Sequence, residues 1–225
     1  MNTTPTYLIN LASRPDRLAT ATERLADTGL VVECVAAKTY ESALEAGVRF
    51  ADDLRGRRAM TAGDLGCVAS HMEVYRHIIE RGQRGALILE DDFYPVVDFG
   101  ERVRSSLSLA PPAGILKLGW LGYKHRLQSR VRDSAVRARR KARRDRWEPH
   151  SFAFGTHCYW ASAEFAEFAL GYMNPVFAAI DNMVTAAVQE SSHKAFRHWP
   201  PLAIQDDSPS DIDKRIHGAA MKPKW

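Results

Sequence analysis

The 225-residue chain has only three cysteines, Cys34, Cys67 and Cys158, which are widely spaced and form no CxxC pattern. An odd count at that spacing excludes a disulfide framework and offers no zinc-site signature. It suits a reducing cytoplasm. No apolar run approaches the roughly 18 residues that a membrane span needs. The opening MNTTPTYLINL lacks the basic start and long apolar core of a signal peptide. The expected location is therefore cytoplasmic. No internal repeats are visible.

The composition, 45% hydrophobic and 26% charged, is that of an ordinary soluble globular chain. Its length suits a single domain over residues 1–225. The net charge of +4 hides an asymmetry. Residues 124–146, KHRLQSRVRDSAVRARRKARRDR, hold 11 Lys and Arg against Asp133 and Asp145. The remainder holds 20 basic and 25 acidic residues, so it is mildly acidic. That distribution argues against nucleic acid as a partner of the whole domain.

Strand and helix patterns alternate along the chain, which predicts an α/β fold. Tyr7 to Leu11 and Val31 to Ala36 read as strands around a helix marked by Leu18, Ala21 and Leu25, with Ser13 and Asp16 as its capping pair. Residues 39–58 read as loop with a short helix. Thr61 and Asp64 form a second capping pattern ahead of Leu65, Val68, Met72, Tyr75 and Ile79, an amphipathic helix. A helix over about 98–109 and a strand from Ile115 to Leu118 precede the basic stretch. After it come a strand over Phe152 to Ala161 and a helix capped by Ser162. A further helix is capped by Asp181 or Asn182, and a closing segment spans Phe196 to Ile204. The tail 207–225 is expected to be loosely held.

The most informative stretch is GALILEDD, residues 85–92. Leu87, Ile88 and Leu89 read as a buried strand that ends in Glu90, Asp91 and Asp92. Three adjacent carboxylates repel one another, and a divalent cation relieves that penalty because hard cations choose oxygen ligands. On an extended backbone Glu90 and Asp92 share a face and Asp91 points away. Ligands of open α/β sheets gather at the carboxyl ends of strands. A metal–nucleotide complex is expected there, while a solvated strand end is the plainer alternative.

Six blocks in order resemble glycosyltransferase family 25, the lipopolysaccharide and lipo-oligosaccharide galactosyltransferases that include the collagen galactosyltransferases. The blocks are YLINLASRPDRL (7–18), MTAGDLGCVASH (60–71), ALILEDD (86–92), GTHCYWAS (155–162), PVFAAIDN (175–182) and PPLAIQDDSPSDI (200–212). The resemblance implies a GT-A-like nucleotide-sugar transferase fold, with a mixed, mostly parallel central sheet flanked by helices. It also implies a UDP-sugar donor, a divalent metal (Mn2+ or Mg2+) and inversion at the anomeric carbon. Asp64 stands where the family usually has Glu, and the basic stretch is longer and more charged than the family pattern leads one to expect.

Carried onto these positions, the resemblance makes Asp92 the direct metal ligand, with Glu90 or Asp91 assisting, to hold the departing UDP dianion. Glu90 contacts ribose or water. Asn10, Arg14 and Arg17 lie where a helix N-terminus offers charge and backbone donors to the nucleotide. Asp181 is the candidate base for the acceptor hydroxyl. His71, His157, Gln205 and Ser210 are further donor-site or metal-site candidates. Each has a structural alternative. Asp64 and Asp181 suit helix caps, His71 a satisfied core histidine, Arg14 a solvated first-turn residue and Cys67 buried packing. Trp120 and Tyr123 suit stacking on an acceptor sugar as well as rim packing.

The expected activity is hexosyl transfer, galactosyl first, from a UDP-sugar to a glycan hydroxyl in lipo-oligosaccharide or other surface-glycan biosynthesis. UDP-glucose or a UDP-N-acetylhexosamine as donor is one alternative. Another is a non-catalytic relative that binds membrane or nucleic acid through residues 124–146. That stretch reads as a solvated loop, a lid over the diphosphate, or a peripheral contact with an anionic membrane, the cytoplasmic face of the inner membrane in this context.

Overall fold

The computed structural model describes residues 4–51, 60–120, 145–149 and 155–206. In chain order the elements are β1 (Thr6–Asn10), α1 (Pro15–Leu25), β2 (Val32–Ala36), α2 (Tyr40–Glu45), α3 (Ala62–Glu80), β3 (Gly85–Glu90), β4 (Phe93–Pro95) and α4 (Phe99–Ser108). They continue with β5 (Ile115–Lys117), β6 (Arg146–Pro149), β7 (Cys158–Ser162), α5 (Ala163–Tyr172), α6 (Ile180–Glu190), β8 (Ala195–Trp199) and β9 (Ala203–Gln205). Seven strands form one sheet in the order β2-β1-β3-β7-β5-β8-β6, and β4 pairs with β9 in a separate ribbon. Strands β1, β2, β3, β5 and β8 run one way, while β6 and β7 run against them. The sheet is thus mixed and mostly parallel, as expected.

Strand β3 is buried on both faces. Ala86 and Ile88 pack into the core half that holds α3, α5 and α6, and Leu87 and Leu89 pack into the half that holds α1 and α4. Each fully buried branched side chain contributes about 1.5–3 kcal/mol through apolar area removed from water. This two-sided burial is why the strand reads as a continuous apolar run. Helix α3 begins with a complete capping box: Asp64 N–H donates to Thr61 Oγ1 at 3.1 Å, and Thr61 N–H donates to Asp64 Oδ2 at 2.8 Å. Leu65, Val68, Met72 and Tyr75 are buried as the spacing predicts, but Ile79 is exposed and Ile78 takes the last core position. Ser162 caps α5 by accepting the Phe165 N–H at 3.1 Å.

Other local expectations change. Arg14, not Ser13, is the N-cap of α1 and makes no side-chain cap, because a guanidinium carries only donors while the open N–H groups of the first turn need an acceptor. Asp181 and Asn182 lie inside the first turn of α6, whose N-cap is Ala179. The segment Phe196 to Ile204 is two strands, with β8 in the main sheet and β9 on the ribbon, separated by Pro200 and Pro201. Arg146, the last residue of the basic stretch, opens the edge strand β6. Residues 124–144, Phe152 to Phe154, Tyr123, Ser210 and the tail 207–225 lie outside the described residues.

The topology creates one crevice. The chain leaves β1 for β2 on one side and then returns to β3 on the other, so the ends of these three parallel strands diverge at a switch point. Three carboxylates finish β3 at that point.

Candidate active site

A cleft opens at the carboxyl ends of β1, β2 and β3. Leu11 follows β1, Ala37 and Lys38 follow β2, and Glu90, Asp91 and Asp92 close β3. Its far wall is the first turns of α3, including Gly66, Cys67, Ser70 and His71, and Arg17 and Gln205 complete the rim. Gly66 allows α3 to approach this closely, since a Cβ there would meet the Lys38 carbonyl oxygen at 2.5 Å. Ser70 Oγ accepts the Lys38 N–H at 2.8 Å and fixes the same loop against the helix.

The three carboxylates have different partners. Strand geometry ends at Glu90, and Asp91 and Asp92 occupy a turn. The expected convergence of Glu90 with Asp92 is therefore replaced by a pairing of the neighbours Asp91 and Asp92 around one cation. Arg17 Nη2 lies 2.5 Å from Asp91 Oδ1 and 3.4 Å from Asp92 Oδ2. Asn10 Nδ2 donates to Asp91 Oδ2 at 2.7 Å and to the Arg14 carbonyl at 3.2 Å, tying the turn after β1 to the turn after β3. Gln205 Nε2 donates to Asp92 Oδ2 at 2.9 Å, and the Asp206 N–H donates to the Asp92 carbonyl at 2.6 Å. Arg24 binds Asp206 and the Phe93 carbonyl, which locks the β4–β9 ribbon beside α1.

Glu90 turns the other way. Its Oε1 lies 3.2 Å from His71 Nε2, and His71 Nδ1 lies 2.8 Å from the Tyr159 hydroxyl. Burial would raise the Glu90 carboxyl, but His71, with Thr156, outweighs burial and holds it below the ordinary carboxylate range. Asp92 is the opposite case. Burial first, and then the charge of Glu90, push it up to about 7 despite Gln205 and Arg17. Burial also raises Asp91, against the pull of Arg17. Crowding thus falls most heavily on Asp92, the residue whose ionised form has most to gain from a cation.

Asp92 Oδ1 is buried and has no hydrogen-bond partner among the described residues. That is one hard oxygen donor in want of a partner. Among the described residues, no group of three or more His, Cys, Asp and Glu side chains is gathered to hold a metal ion. The residues therefore fit an ion such as Mg2+, which takes one or two carboxylates and completes its shell with phosphate oxygens and water. They do not form an all-protein cage.

The remaining candidates separate. Arg17, His71, Gln205 and the acidic triplet line the cleft. Arg14 does not, and its guanidinium forks onto Asp16 at 3.0 and 2.8 Å. Asp64 is committed to the capping box. His157 is fully buried, with burial lowering its imidazole to about 4, and it lies behind the cleft wall against Gly119. The Ala203 carbonyl beside it favours its protonated form, yet neither ring nitrogen reaches hydrogen-bond geometry with a described residue. Asp181 is half-buried and outside the cleft lining. Its Oδ1 accepts the Asn182 N–H at 2.8 Å, and its charge acts on buried Lys117. Trp120 stacks on Trp199 at 5.6 Å with Arg197 4.7 Å from its ring, so its indole is partnered within the protein.

Sequence reasoning missed four kinds of contributor. Lys38 and Tyr40 line the cleft from the loop and helix after β2, and no local pattern marks them. Cys67, read as core packing, also lines it. Ser70 was available from its place beside His71. Tyr159 and Lys117, both fully buried, support the site from below, and only their three-dimensional neighbours reveal this.

Comparison with known proteins agrees with this geometry. The model of Glycosyltransferase family 25 (LPS biosynthesis protein) matches residues 3–184. A Glycosyltransferase 25 family member of Drosophila melanogaster is 34% identical over 94 residues, covering 38% of this chain and 15% of that protein. Procollagen galactosyltransferase 1 of Danio rerio is 30% identical over 108 residues, 44% of this chain and 18% of its own. The Probable inactive glycosyltransferase 25 family member 3 of Bos taurus is 29% identical over 167 residues, 70% of this chain and 26% of its own. The matches thus span only a minor part of each of these relatives. Among solved structures, a glycosyltransferase involved in the glycosylation of the major capsid of PBCV-1 shares 9% identity at a TM-score of 0.51. That likeness covers 96% of this chain and 98% of the other and concerns the fold, which is the GT-A-like arrangement expected.

Proposed function

The chain belongs to glycosyltransferase family 25, and from that footing we propose that it moves a hexose, galactose first, from a UDP-sugar to a glycan hydroxyl with inversion. The single observation that supports this best is the Asp91–Asp92 pair at the switch-point end of β3, held by Arg17, Asn10 and Gln205. Such a crevice at strand ends is where α/β folds bind nucleotides, and its acidic corner suits a diphosphate only with a cation present.

In this reading Asp92, whose Oδ1 is buried without a hydrogen-bond partner among the described residues, would hold a divalent metal, Mn2+ or Mg2+. The metal would supply charge stabilisation to the departing diphosphate. Arg17 leans on both aspartates and sets their orientation, so it stands ready to share charge with phosphate oxygens. Glu90, which lines the cleft and is held ionised by His71 and Thr156, would accept a hydroxyl of the donor. Asp181 takes the proton from the acceptor hydroxyl. It stands on the first turn of α6, and its charge acts on the buried Lys117 ammonium. A growing lipo-oligosaccharide or another surface glycan is the proposed acceptor, and residues 124–146 the proposed contact with an anionic membrane.

The test is a transfer assay with a panel of UDP-sugars and Mn2+, on wild type, Asp92→Ala and Asp181→Asn. Loss of transfer on chelation and in both variants supports the reading. Turnover that survives chelator and Asp92→Ala would overturn the metal assignment, and full activity of Asp181→Asn would remove the base. One relative is described as a probable inactive family member, which favours a non-catalytic binder as the second reading. Calorimetry separates them, because such a protein binds anionic vesicles without turning over any UDP-sugar.

A further inference from the structure

Beneath the cleft, three buried side chains from α3 and β7 form a chain of hydrogen bonds that ends on Glu90. The Tyr75 hydroxyl lies 2.8 Å from the Tyr159 hydroxyl. The Tyr159 hydroxyl lies 2.8 Å from His71 Nδ1, and His71 Nε2 lies 3.2 Å from Glu90 Oε1. Tyr75, Tyr159 and His71 are fully buried, so water cannot complete any hydrogen bond they leave open.

The protons can be assigned by counting. Among the described residues, Tyr75 has one hydrogen-bond partner, Tyr159. With a neutral imidazole there are three mobile protons for three links. If Tyr75 donates to Tyr159, then Tyr159 donates to Nδ1, and the remaining proton on Nε2 meets the Glu90 carboxylate. Every link then holds one proton. If the imidazole instead carries its proton on Nδ1, Tyr159 must donate to Tyr75, and the Tyr75 proton has no acceptor. In that case Nε2 also presents a lone pair to a carboxylate lone pair. A buried donor without an acceptor costs about 1–3 kcal/mol. That is enough to decide between tautomers whose intrinsic energies are close.

We infer that Tyr75, Tyr159 and His71 form a one-way relay that fixes neutral His71 as its Nε2–H tautomer and thereby orients Glu90 in the cleft. Tyr159 is the positioning residue of this relay. Its ring stacks on the His71 ring at 5.7 Å and 26°, and the Lys117 ammonium sits 4.9 Å from its centroid while donating to the Gly155 carbonyl at 2.6 Å. The phenol is therefore held from its face as well as its hydroxyl. The effect on donor binding rests on the reading that Glu90 faces the donor, but the tautomer does not.

The experiment is long-range 1H–15N spectroscopy of the full chain labelled in histidine, at a pH where the imidazole is neutral, with His71 assigned by its absence from His71→Gln. Wild type is expected to show an unprotonated Nδ1 and a protonated Nε2. Tyr75→Phe keeps that pattern, because the Tyr159 proton still reaches Nδ1. Tyr159→Phe strips Nδ1 of its hydrogen bond and so moves the Nδ1 resonance, while Nε2, still facing Glu90, keeps its proton; the loosened ring raises the donor KM on the order of tenfold, with less change in kcat. A wild-type proton on Nδ1 overturns the relay, as does a Tyr159→Phe spectrum identical to wild type. Should Tyr159→Phe fail to fold, the wild-type and Tyr75→Phe spectra decide alone. The expected spectra in a protein that transfers no sugar would sink the proposed activity and leave the relay standing.

Discussion

Gln205 Nε2 donates to Asp92 Oδ2 at 2.9 Å across 113 residues of chain and meets Arg17 Nη2, 3.4 Å away, at the same oxygen. The acidic turn of the first half is thereby completed by the last described strand. Gln205→Ala removes this donor and leaves Arg17 alone to offset the repulsion of Glu90 and Asp91. Loss of one hydrogen bond to a charged group, about 1.5–3 kcal/mol, predicts at least a tenfold weaker UDP–Mn2+ complex in calorimetry. Unchanged affinity would show that the ribbon takes no part in donor binding.

The capping box gives a prediction of the opposite kind. Asp64 is buried and bonded to both the N–H and hydroxyl of Thr61. Asp64→Ala should cost about 1–2 kcal/mol in urea unfolding. Donor affinity of the folded protein should stay within twofold, because the carboxylate faces Thr61 and not the cleft. A large loss of affinity with intact stability would return Asp64 to the site.

Gly66→Ala tests how tightly α3 presses on the cleft wall. Alanine is the better helix former by about 1 kcal/mol, so a merely local view expects stabilisation. The new methyl would instead stand 2.5 Å from the Lys38 backbone oxygen. Overpacking of this sort costs about 1–3 kcal/mol. The melting temperature should fall, and nucleotide binding should weaken with the displaced Lys38 loop.

Lys117 makes stability depend on pH. Burial lowers its ammonium from the ordinary 10.5 to about 8, against the pull of Asp181 and Glu90. Between those values the unfolded chain binds more protons than the folded one, so the stability contributed by this group rises with pH from about 8 to about 10.5. Lys117→Met lacks the effect. Paired urea titrations should find the variant ahead at pH 7 and its advantage shrinking as pH rises. A gap that ignores pH would contradict the burial argument.

Much of this architecture was legible because it rests on local rules. Two-sided burial writes β3 as an apolar run, the Thr61–Asp64 box announces α3, and Ser162 announces α5. The illegible parts depended on partners distant in sequence. Pairing of β4 with β9 cannot be seen in Phe93 to Pro95, a three-residue strand whose partner lies over a hundred residues on. Burial of Ile78 rather than Ile79 followed from which neighbours close around the end of α3. The cap of α6 moved to Ala179 because the preceding backbone, not an Asp side chain, turns into that helix.

The sequence by itself determined the class of fold, the family and the acidic corner at Glu90, Asp91 and Asp92, since these are written in contiguous residues whose spacing obeys strand and helix periods. Tertiary structure alone decided what each carboxylate does. Where β3 stops, the alternation of side chains stops, and Arg17 can then bridge Asp91 and Asp92 while His71 takes Glu90. The reason is physical: the charge state of a buried carboxylate is set by what surrounds it within a few ångströms, and those neighbours come from β1, α1, α3 and β9.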